Sequence, residues 1–299
     1  MDDSALDTRL SALCAFENAV QVFAVWSDNK RSGEENYLDF FAVMENLERE
    51  AEKNSEKCVI CRCRDDLLCD GEKTKAKVKL IPAVEGAALL CGDISRLRVL
   101  YGRGVRILTF AWRGVNEACG AHDTDVGLTD FGKSLLRECE KLKIIADVSH
   151  MSERAFWDTV SAAERPVIAS HSNSAQMCAH ARNLTDNQFR TVSEMGGIVG
   201  MNLYLPFLSR RFENSNCVFD TDEYFSSFCA HIEHFLSLGG EKCICLGGDR
   251  DGFDRVDGYS QLEFIDKVYN KLIKNGIKEK IIKDIFSGNA RRFFESAIG

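Results

Sequence analysis

The chain has 299 residues, 45% of them hydrophobic, and 46 acidic residues outnumber 38 lysines and arginines to give a formal net charge of −8. This apolar content can bury a full core and excludes disorder as the main state, while the acidic balance argues against nucleic acid or an anionic membrane as the main partner. The sequence contains no run of about 18 apolar residues, the length that a helix needs to span a bilayer. Residues 1–10 lack the apolar core of a signal peptide. Thirteen cysteines without such a signal predict reduced thiols and a cytoplasmic location.

Short apolar runs recur along the chain, separated by charged stretches with helical spacing. Most runs are rich in valine and isoleucine, which is typical of strands buried on both faces. The predicted strands are Gln21–Trp26, Lys57–Arg62, Val78–Val84, Val105–Phe110, Ile144–Val148, Val167–Ser170, Gly197–Asn202 and Cys243–Gly247. The predicted helices include Leu38–Lys53, Thr129–Leu142, Asp186–Met195 and Leu262–Asn275. Strands alternating with helices predict a parallel α/β fold.

The number of predicted strands bears on the architecture. About eight strands in a chain of this size favour a (β/α)8 TIM-type barrel over an open sheet, although periodicity alone does not separate the two. Only three prolines occur, so no proline-rich linker divides the chain, and no internal repeat is present. The polar stretch Leu205–Asp222 is predicted to be a surface excursion. We therefore expect residues 1–299 to form a single barrel domain.

Residues with ligand or acid–base chemistry lie one or two positions after four of the predicted strands. They are Glu85, His150, His171 and Asp249. In a barrel, functional groups collect at the carboxyl ends of the strands. Two histidines and a glutamate are a recurring zinc set, and a further carboxylate nearby could move a proton. Either histidine alone is more simply a hydrogen-bonded core residue, but the joint occurrence predicts a metal site with a proton acceptor beside it.

Six short motifs are informative together because of their order. They are Gly104–Thr109 (GVRILT), Gly127–Gly132 (GLTDFG), Asp147–His150 (DVSH), Ser170–Asn173 (SHSN), Ala181–Asn183 (ARN) and Gly247–Gly252 (GGDRDG). With these motifs the chain resembles the membrane (renal) dipeptidase family from about residue 19 to its end. The resemblance implies a zinc-dependent (β/α)8 hydrolase of the amidohydrolase type that cleaves dipeptides, and family members are often homodimers.

The resemblance also implies roles for individual residues. Glu85 matches the carboxylate that bridges two zinc ions, and His150 and His171 match the imidazoles on the second zinc. Arg182 matches the arginine that holds the free carboxylate of the substrate, a role that suits a guanidinium because it pairs with a carboxylate through two hydrogen bonds. Asp249 matches the aspartate beside the metals that handles the proton.

Two residues of one loop complete the expected site. Trp112 stands where some family members carry a substrate-binding histidine and where bacterial members often carry tryptophan. Asn116 lies in the same loop and is expected to contact the substrate. Together with Arg182, these residues form the predicted substrate-binding set.

The main departure from the family lies at the N-terminus. Family members begin with a strand that bears an Asp-x-His-x-Asp motif, which supplies two ligands of the first zinc, whereas this chain has no histidine before His122. The resemblance makes Lys57–Arg62 an accessory strand and leaves seven strands for the barrel, with two exposed edges. Three explanations stay open: the sequence begins downstream of the true start, the protein is a degenerate member, or another element fills the gap.

The expected function is zinc-dependent hydrolysis of dipeptides. The family implies two zinc ions, and the missing motif leaves one or none as alternatives. The alternative functions are a catalytically impaired binding protein that has lost the first metal site, and a related amidohydrolase that acts on another amide or on a lactone. Neither nucleic acid nor a membrane-spanning segment is expected.

Other candidate ligands have simpler structural interpretations. Cys58, Cys61 and Cys63, with Cys69 beyond, have part of the spacing of a zinc knuckle, but they alternate with apolar residues as in a buried strand. His231 and His234 lie three residues apart on a predicted helix, a spacing that can bind metal. We expect packing for the cysteines and a structural or surface role for both histidines.

Overall fold

The protein is described by a computed structural model that covers residues 1–3, 6–28, 30–68, 76–213, 220–253 and 259–299, without the side chain at position 213. The chain forms two compact units. Unit 1 comprises Met1, Phe16–Ile168 and Phe294–Gly299, and unit 2 comprises Asp2–Ala15 and Ala169–Phe293. A single barrel domain over residues 1–299 stays a prediction.

Unit 1 is built on a parallel sheet whose main order is β1-β3-β4-β5. The strands are β1 (Ala19–Trp26), β2 (Cys58–Ile60), β3 (Val78–Glu85), β4 (Ile107–Thr109) and β5 (Ile145–Asp147). β2 pairs only with the first three residues of β3, as expected of an accessory strand. The five predicted strands of this region are thus confirmed, with ends displaced by a few residues.

Twelve α-helices are found in the described residues. They are α1 (Leu10–Leu13), α2 (Gly33–Lys53), α3 (Arg64–Leu68), α4 (Ile94–Gly102), α5 (Asp130–Leu142), α6 (Glu153–Ala162), α7 (Asp186–Glu194), α8 (Leu205–Leu208), α9 (Thr221–Ser237), α10 (Gln261–Lys274), α11 (Glu279–Lys283) and α12 (Asn289–Ala297). None of them combines the length and the apolar character that crossing a membrane requires. The four predicted helices are confirmed as α2, α5, α7 and α10.

Local side-chain caps set where the helices begin. Ser32 and Glu35 form a reciprocal capping box, so α2 begins five residues before the predicted start at Leu38. The Thr129 side chain accepts a hydrogen bond from the Gly132 amide at 3.0 Å and starts α5 where the sequence predicts it. The apolar spacing therefore locates the buried face of a helix, and the cap locates its first turn.

Unit 2 contains the parallel pair β6 (Val199–Met201) and β7 (Ile244–Leu246). The predicted strand Val167–Ser170 is present only as single bridging residues, including Ala169, which pairs with Val199. Both Gly200 and Gly247 pack against the carbonyl oxygen of Ser170, because a Cβ on either residue would come within 2.0 Å of that atom. Glycine at these positions allows the close approach of β6 and β7.

The stretch Leu205–Asp222 is more ordered than the expected surface excursion. It contains α8, which begins with proline in its first turn, and a short 3₁₀ helix at Arg210–Glu213. Leu208 is buried. The expected surface position agrees with residues 205–212, of which only Leu208 is buried. The expected irregularity is wrong there, because two short helical turns form. Residues 214–219 lie outside the described part.

The N-terminal segment belongs to unit 2. The described residues before Ala19 contain the single turn α1 and no strand. The backbone amides of Asp7 and Thr8 donate hydrogen bonds to the two carboxylate oxygens of Asp251, at 2.6 Å and 3.0 Å. This segment is thereby joined to the loop that follows β7.

The cysteines on β2 and just after it agree with the expected role in packing. Cys58 and Cys61 are buried, and Cys69 lies outside the described residues.

Other buried cysteines are also unreactive packing groups. Burial raises the pKa of the Cys119, Cys229 and Cys243 thiols to about 12, so these side chains are uncharged apolar groups at neutral pH.

Candidate active site

The last residues of three neighbouring strands of unit 1 lie in one row. Glu85 is in register with Thr109, and Thr109 with Asp147. The Thr109 hydroxyl donates to Asp147 Oδ2 at 2.6 Å, and the Ser149 amide donates to Asp147 Oδ1 at 3.0 Å. The fully buried Asp147 carboxylate therefore fixes the turn that leads into His150.

The His150 side chain is held between a backbone carbonyl and a carboxylate. Its Nδ1 lies 2.8 Å from the carbonyl oxygen of Trp112, and its Nε2 lies 3.0 Å from Glu85 Oε1. A carbonyl oxygen only accepts, so Nδ1 carries the proton in this bond. In a neutral ring Nε2 is then an acceptor that faces a carboxylate, an arrangement that needs a proton or a cation between the two atoms. Metal-binding histidines are commonly oriented in this way.

His171 has a comparable arrangement in unit 2. Its Nδ1 lies 2.7 Å from the hydroxyl oxygen of Ser170. Its backbone carbonyl accepts a hydrogen bond from Arg182 Nη2 at 3.2 Å. The residue is buried, with 8% of its surface exposed, and a metal ion would bind through Nε2, the other ring nitrogen.

Within the described part of the chain, Glu85, His150 and His171 form a group that could hold a metal ion, because one ligand atom from each lies within 4.8 Å of the others. Two imidazole nitrogens and one carboxylate oxygen are a ligand set that zinc takes at catalytic sites. The second nitrogen of each imidazole is bonded to the protein, as expected of metal ligands. The residues present therefore fit a zinc ion.

Arg182 is a buried cation of unit 2, with 3% of its surface exposed. The Phe207 ring lies below the guanidinium, with its centroid 5.4 Å from Cζ. The backbone amide of Arg182 donates to His180 Nδ1 at 3.1 Å. A buried guanidinium is stabilised by an anion, and the fork geometry suits a carboxylate.

Asp249 follows β7 in a left-handed backbone conformation, with a φ of 53°. The side-chain amide of Asn202 donates to Asp249 Oδ2 at 3.1 Å. Asp251 and His150 also have positive φ angles, of 66° and 70°. Non-glycine residues in this region are unusual, and they cluster at functional sites.

Comparison with known proteins decides the family. The model described as "Membrane dipeptidase (Peptidase family M19)" matches residues 1–298. The chain belongs to the membrane dipeptidase family. The chain is therefore an enzyme of the dipeptidase type, as predicted, and the family is metal-dependent.

Relatives and solved structures agree with this membership. A Klebsiella pneumoniae protein, "Uncharacterized protein in pqqA 5′region", is 32% identical over 246 residues, which cover 79% of this chain and 84% of that protein. The metallopeptidase "dipeptidase AC" has a TM-score of 0.86 at 24% identity, over 99% of this chain and 91% of its own. A Rhodobacter sphaeroides metallopeptidase has a TM-score of 0.84 at 22% identity, and the match covers 99% of this chain and 91% of that one. The predicted membrane dipeptidase fold, with a parallel α/β sheet, is confirmed.

Two loop residues predicted to bind substrate in this family member make backbone contacts. Trp112 packs its ring edge-on against Trp26, 4.8 Å between centroids, and orients His150 through its carbonyl. The Asn116 side chain donates to the carbonyl of Phe110 at 2.8 Å and accepts from the amides of Ala118 and Cys119. Asn116 thus closes the loop after β4, and substrate contact by either residue stays a prediction.

His231 has a structural role in this membrane dipeptidase. It is fully buried on α9, accepts from the Ser174 amide at its Nδ1, and lies with Nε2 3.0 Å from the carbonyl of Leu208. Burial lowers its pKa to about 4, so the ring is neutral near pH 7. His234 Nε2 lies 2.7 Å from Asp186 at the start of α7. Both contacts agree with the expected structural roles.

Some contacts at the site had no signal in the sequence. Asn202 and Asp147 were missed as functional candidates, although Asp147 stands out as an acidic residue inside the apolar run Ile144–Val148. The Trp112 carbonyl could not have been found, because every residue carries the same backbone acceptor.

Proposed function

We propose that this family member hydrolyses dipeptides with a zinc ion held by Glu85, His150 and His171. The observation that carries the proposal is the 3.0 Å approach of His150 Nε2 to Glu85 Oε1, because a neutral ring that donates through Nδ1 presents an acceptor to this carboxylate and needs a cation between the two atoms. When bound, zinc acidifies a water molecule and polarises the carbonyl of the scissile bond. The family resemblance implies a second zinc, and the residues named here are proposed to hold one.

Arg182 is proposed to bind the C-terminal carboxylate of the dipeptide. Its guanidinium is buried and is oriented through Nη2 by the carbonyl of His171. A guanidinium pairs with a carboxylate through two parallel hydrogen bonds, which suits this role. Because this contact requires a free carboxylate one residue beyond the scissile bond, it favours dipeptides over longer peptides.

Asp249 is proposed to accept the proton of the attacking water and to pass it to the leaving amine. Its carboxylate is held by Asn202 in unit 2. Trp112 and Asn116 are proposed to flank the substrate through their shared loop. A cytoplasmic location, from the cysteine content, and a homodimer, from the family resemblance, are also proposed.

The test is hydrolysis of a dipeptide panel by the purified 299-residue chain, with and without added zinc. L-Ala-D-Ala is a suitable first substrate, because the Rhodobacter sphaeroides structure is liganded with a phosphinate mimic of that dipeptide. His150→Ala should abolish the zinc-dependent turnover. His234→Ala is the matched control, since His234 pairs with Asp186 on the helices of unit 2, and it should retain the turnover.

The absence of turnover with every metal tried would contradict the proposal. Dipeptide binding measured by calorimetry would then support the alternative of a binding protein. Turnover of other amides or of lactones by the same preparation would support the second alternative, a related amidohydrolase.

A further inference from the structure

Asn202 is a fully buried amide that directly follows β6. Its side-chain oxygen accepts a hydrogen bond from the backbone amide of Tyr204 at 2.6 Å. An amide that accepts through its oxygen must present its NH2 group on the other side. That group donates to Asp249 Oδ2 at 3.1 Å.

The backbone of Asn202 is fixed by a second buried asparagine. The Asn202 amide donates to Asn173 Oδ1 at 2.9 Å, and Asn173 Nδ2 donates to the Asn202 carbonyl at 3.0 Å. The carbonyl of Asn173 in turn accepts from the Leu184 amide at 2.8 Å. The Asn202 side chain therefore cannot rotate away from Asp249 without breaking its bond to the Tyr204 amide. Its backbone cannot move without breaking two buried bonds to Asn173, each of which is costly to leave unmade.

We propose that Asn202 is a positioning residue, which holds Oδ2 of Asp249 as an acceptor and assigns the transferred proton to Oδ1. This inference rests on the proposed function, because it concerns the proton that Asp249 moves. The NH2 group of Asn202 can only donate, so Oδ2 stays unprotonated while this bond is made. The proton leaves the attacking water, is carried on Oδ1, and passes to the nitrogen of the leaving amine as the C–N bond breaks.

Gly252 also limits where the Asp249 carboxylate can lie. A Cβ added at Gly252 would lie 2.6 Å from Asp249 Oδ1, so a larger residue at position 252 would displace the carboxylate. The Gly252 amide donates to the Asp249 carbonyl at 3.1 Å and closes the turn. The backbone thus sets where the side chain begins, and Asn202 sets its rotation.

The decisive variant is Asn202→Asp, which is nearly isosteric. An aspartate keeps an oxygen for the Tyr204 amide and leaves the backbone bonds to Asn173 in place, but it replaces the donor to Asp249 with an acceptor. We expect kcat for dipeptide hydrolysis to fall at least tenfold, with KM and bound zinc little changed, whereas the melting temperature should fall because two carboxylates then face each other in a buried site. Asn289→Asp is the matched control, because it replaces another buried amide donor of unit 2 with a carboxylate and bonds neither Asn202 nor Asp249, and it should lower kcat far less.

A double-mutant cycle separates positioning from a general structural role. If Asn202 acts through Asp249, then Asn202→Asp should lower kcat no further in an Asp249→Asn background. If Asn202→Asp does not fold, Asn202→Ala removes the same donor without adding charge, and the same loss of kcat is expected.

The outcomes that would overturn the inference are distinct from failure of the proposed function. Unchanged kcat in the folded Asn202 variants, or fully additive losses in the cycle, would overturn the positioning role while dipeptide hydrolysis stands. A wild-type chain that hydrolyses no dipeptide would contradict the proposed function and, with it, this inference.

Discussion

Arg182 carries a buried charge, and its planar fork is what the proposed substrate contact requires. Arg182→Lys keeps the charge but replaces two parallel donors with a single ammonium group. Losing one charge-assisted hydrogen bond costs about 1.5–3 kcal/mol, so KM should rise by about 10- to 100-fold. kcat should change less, because Arg182 is proposed to contact the carboxylate and neither the carbonyl nor the nitrogen of the scissile bond.

Steady-state kinetics on a dipeptide and on its C-terminal amide provide the measurement. The wild type should discriminate strongly against the amide, and the lysine variant only weakly. An unchanged KM in Arg182→Lys would show that another residue holds the carboxylate.

His231 makes the stability of unit 2 depend on pH. The unfolded chain protonates this histidine below its ordinary pKa of 6.5, whereas in the fold burial lowers the pKa to about 4. The unfolded state thus binds more protons in this window, and the free energy of unfolding falls as the pH drops through it. The loss attributable to His231 is about 2 kcal/mol between pH 7.5 and pH 5.

Urea unfolding at several pH values measures this effect. His231→Gln offers an amide that can accept from Ser174 and donate to Leu208 without titrating, so its unfolding free energy should depend less on pH. A pH dependence equal to that of the wild type would show that other groups dominate.

The residue scale also shows where sequence reasoning stops. The sequence predicts His150, His171 and Asp249 as site candidates, because a polar residue after an apolar run can be recognised from the sequence alone. Asn202 was not, because its importance depends on a contact 47 residues away along the chain. A local sequence pattern does not predict side-chain contacts between residues that lie far apart in the chain.

At the scale of elements, β6 and β7 depend on the close approach that glycine permits. A Cβ on Gly200 would lie 1.9 Å from the Ser170 carbonyl oxygen and 2.8 Å from Cα of Gly247. Gly200→Ala must therefore displace backbone, and we expect a loss of about 3 kcal/mol of unfolding free energy.

Chemical denaturation of two alanine variants tests this expectation. Gly102, the last residue of α4, is the control, since a Cβ there meets nothing within 4 Å. Gly102→Ala should be neutral or should stabilise the protein by up to about 1 kcal/mol. Equal effects of the two substitutions would contradict the packing argument.

Element boundaries were predicted less well than element types. The buried face of α2, with Phe40, Met44 and Leu47, was visible in the spacing, whereas its first turn is set by polar residues around Ser32. The strand predicted at Val167–Ser170 reduces to bridging residues, because pairing depends on neighbours that lie elsewhere in the sequence.

At the scale of the whole molecule, zinc bound to the native state should stabilise the fold by mass action. Free zinc at 100 times its dissociation constant adds about 2.7 kcal/mol, which corresponds to a rise of several degrees in the melting temperature. A chelator should reverse the shift. His171→Ala should lose it, and an equal shift in that variant would show that the ion binds elsewhere.

The parallel α/β class was predictable for the whole chain because strands and helices alternate in its hydrophobic pattern. The division into two units was not, since the boundary after Ile168 falls inside a predicted strand and no change in composition marks it. The family resemblance was visible in the sequence because six short motifs occur in the order typical of the family, although each motif alone is weak evidence.

The left-handed backbone at His150 and Asp249 has an evolutionary consequence. An L-residue with a side chain costs about 1 kcal/mol in that conformation, whereas glycine does not. A lineage that stopped using these two side chains would be more stable with glycine at both sites, so neutral drift would tend to erase them. Under the proposed function, the strain at both positions is the stability cost of keeping a metal ligand and a proton acceptor there.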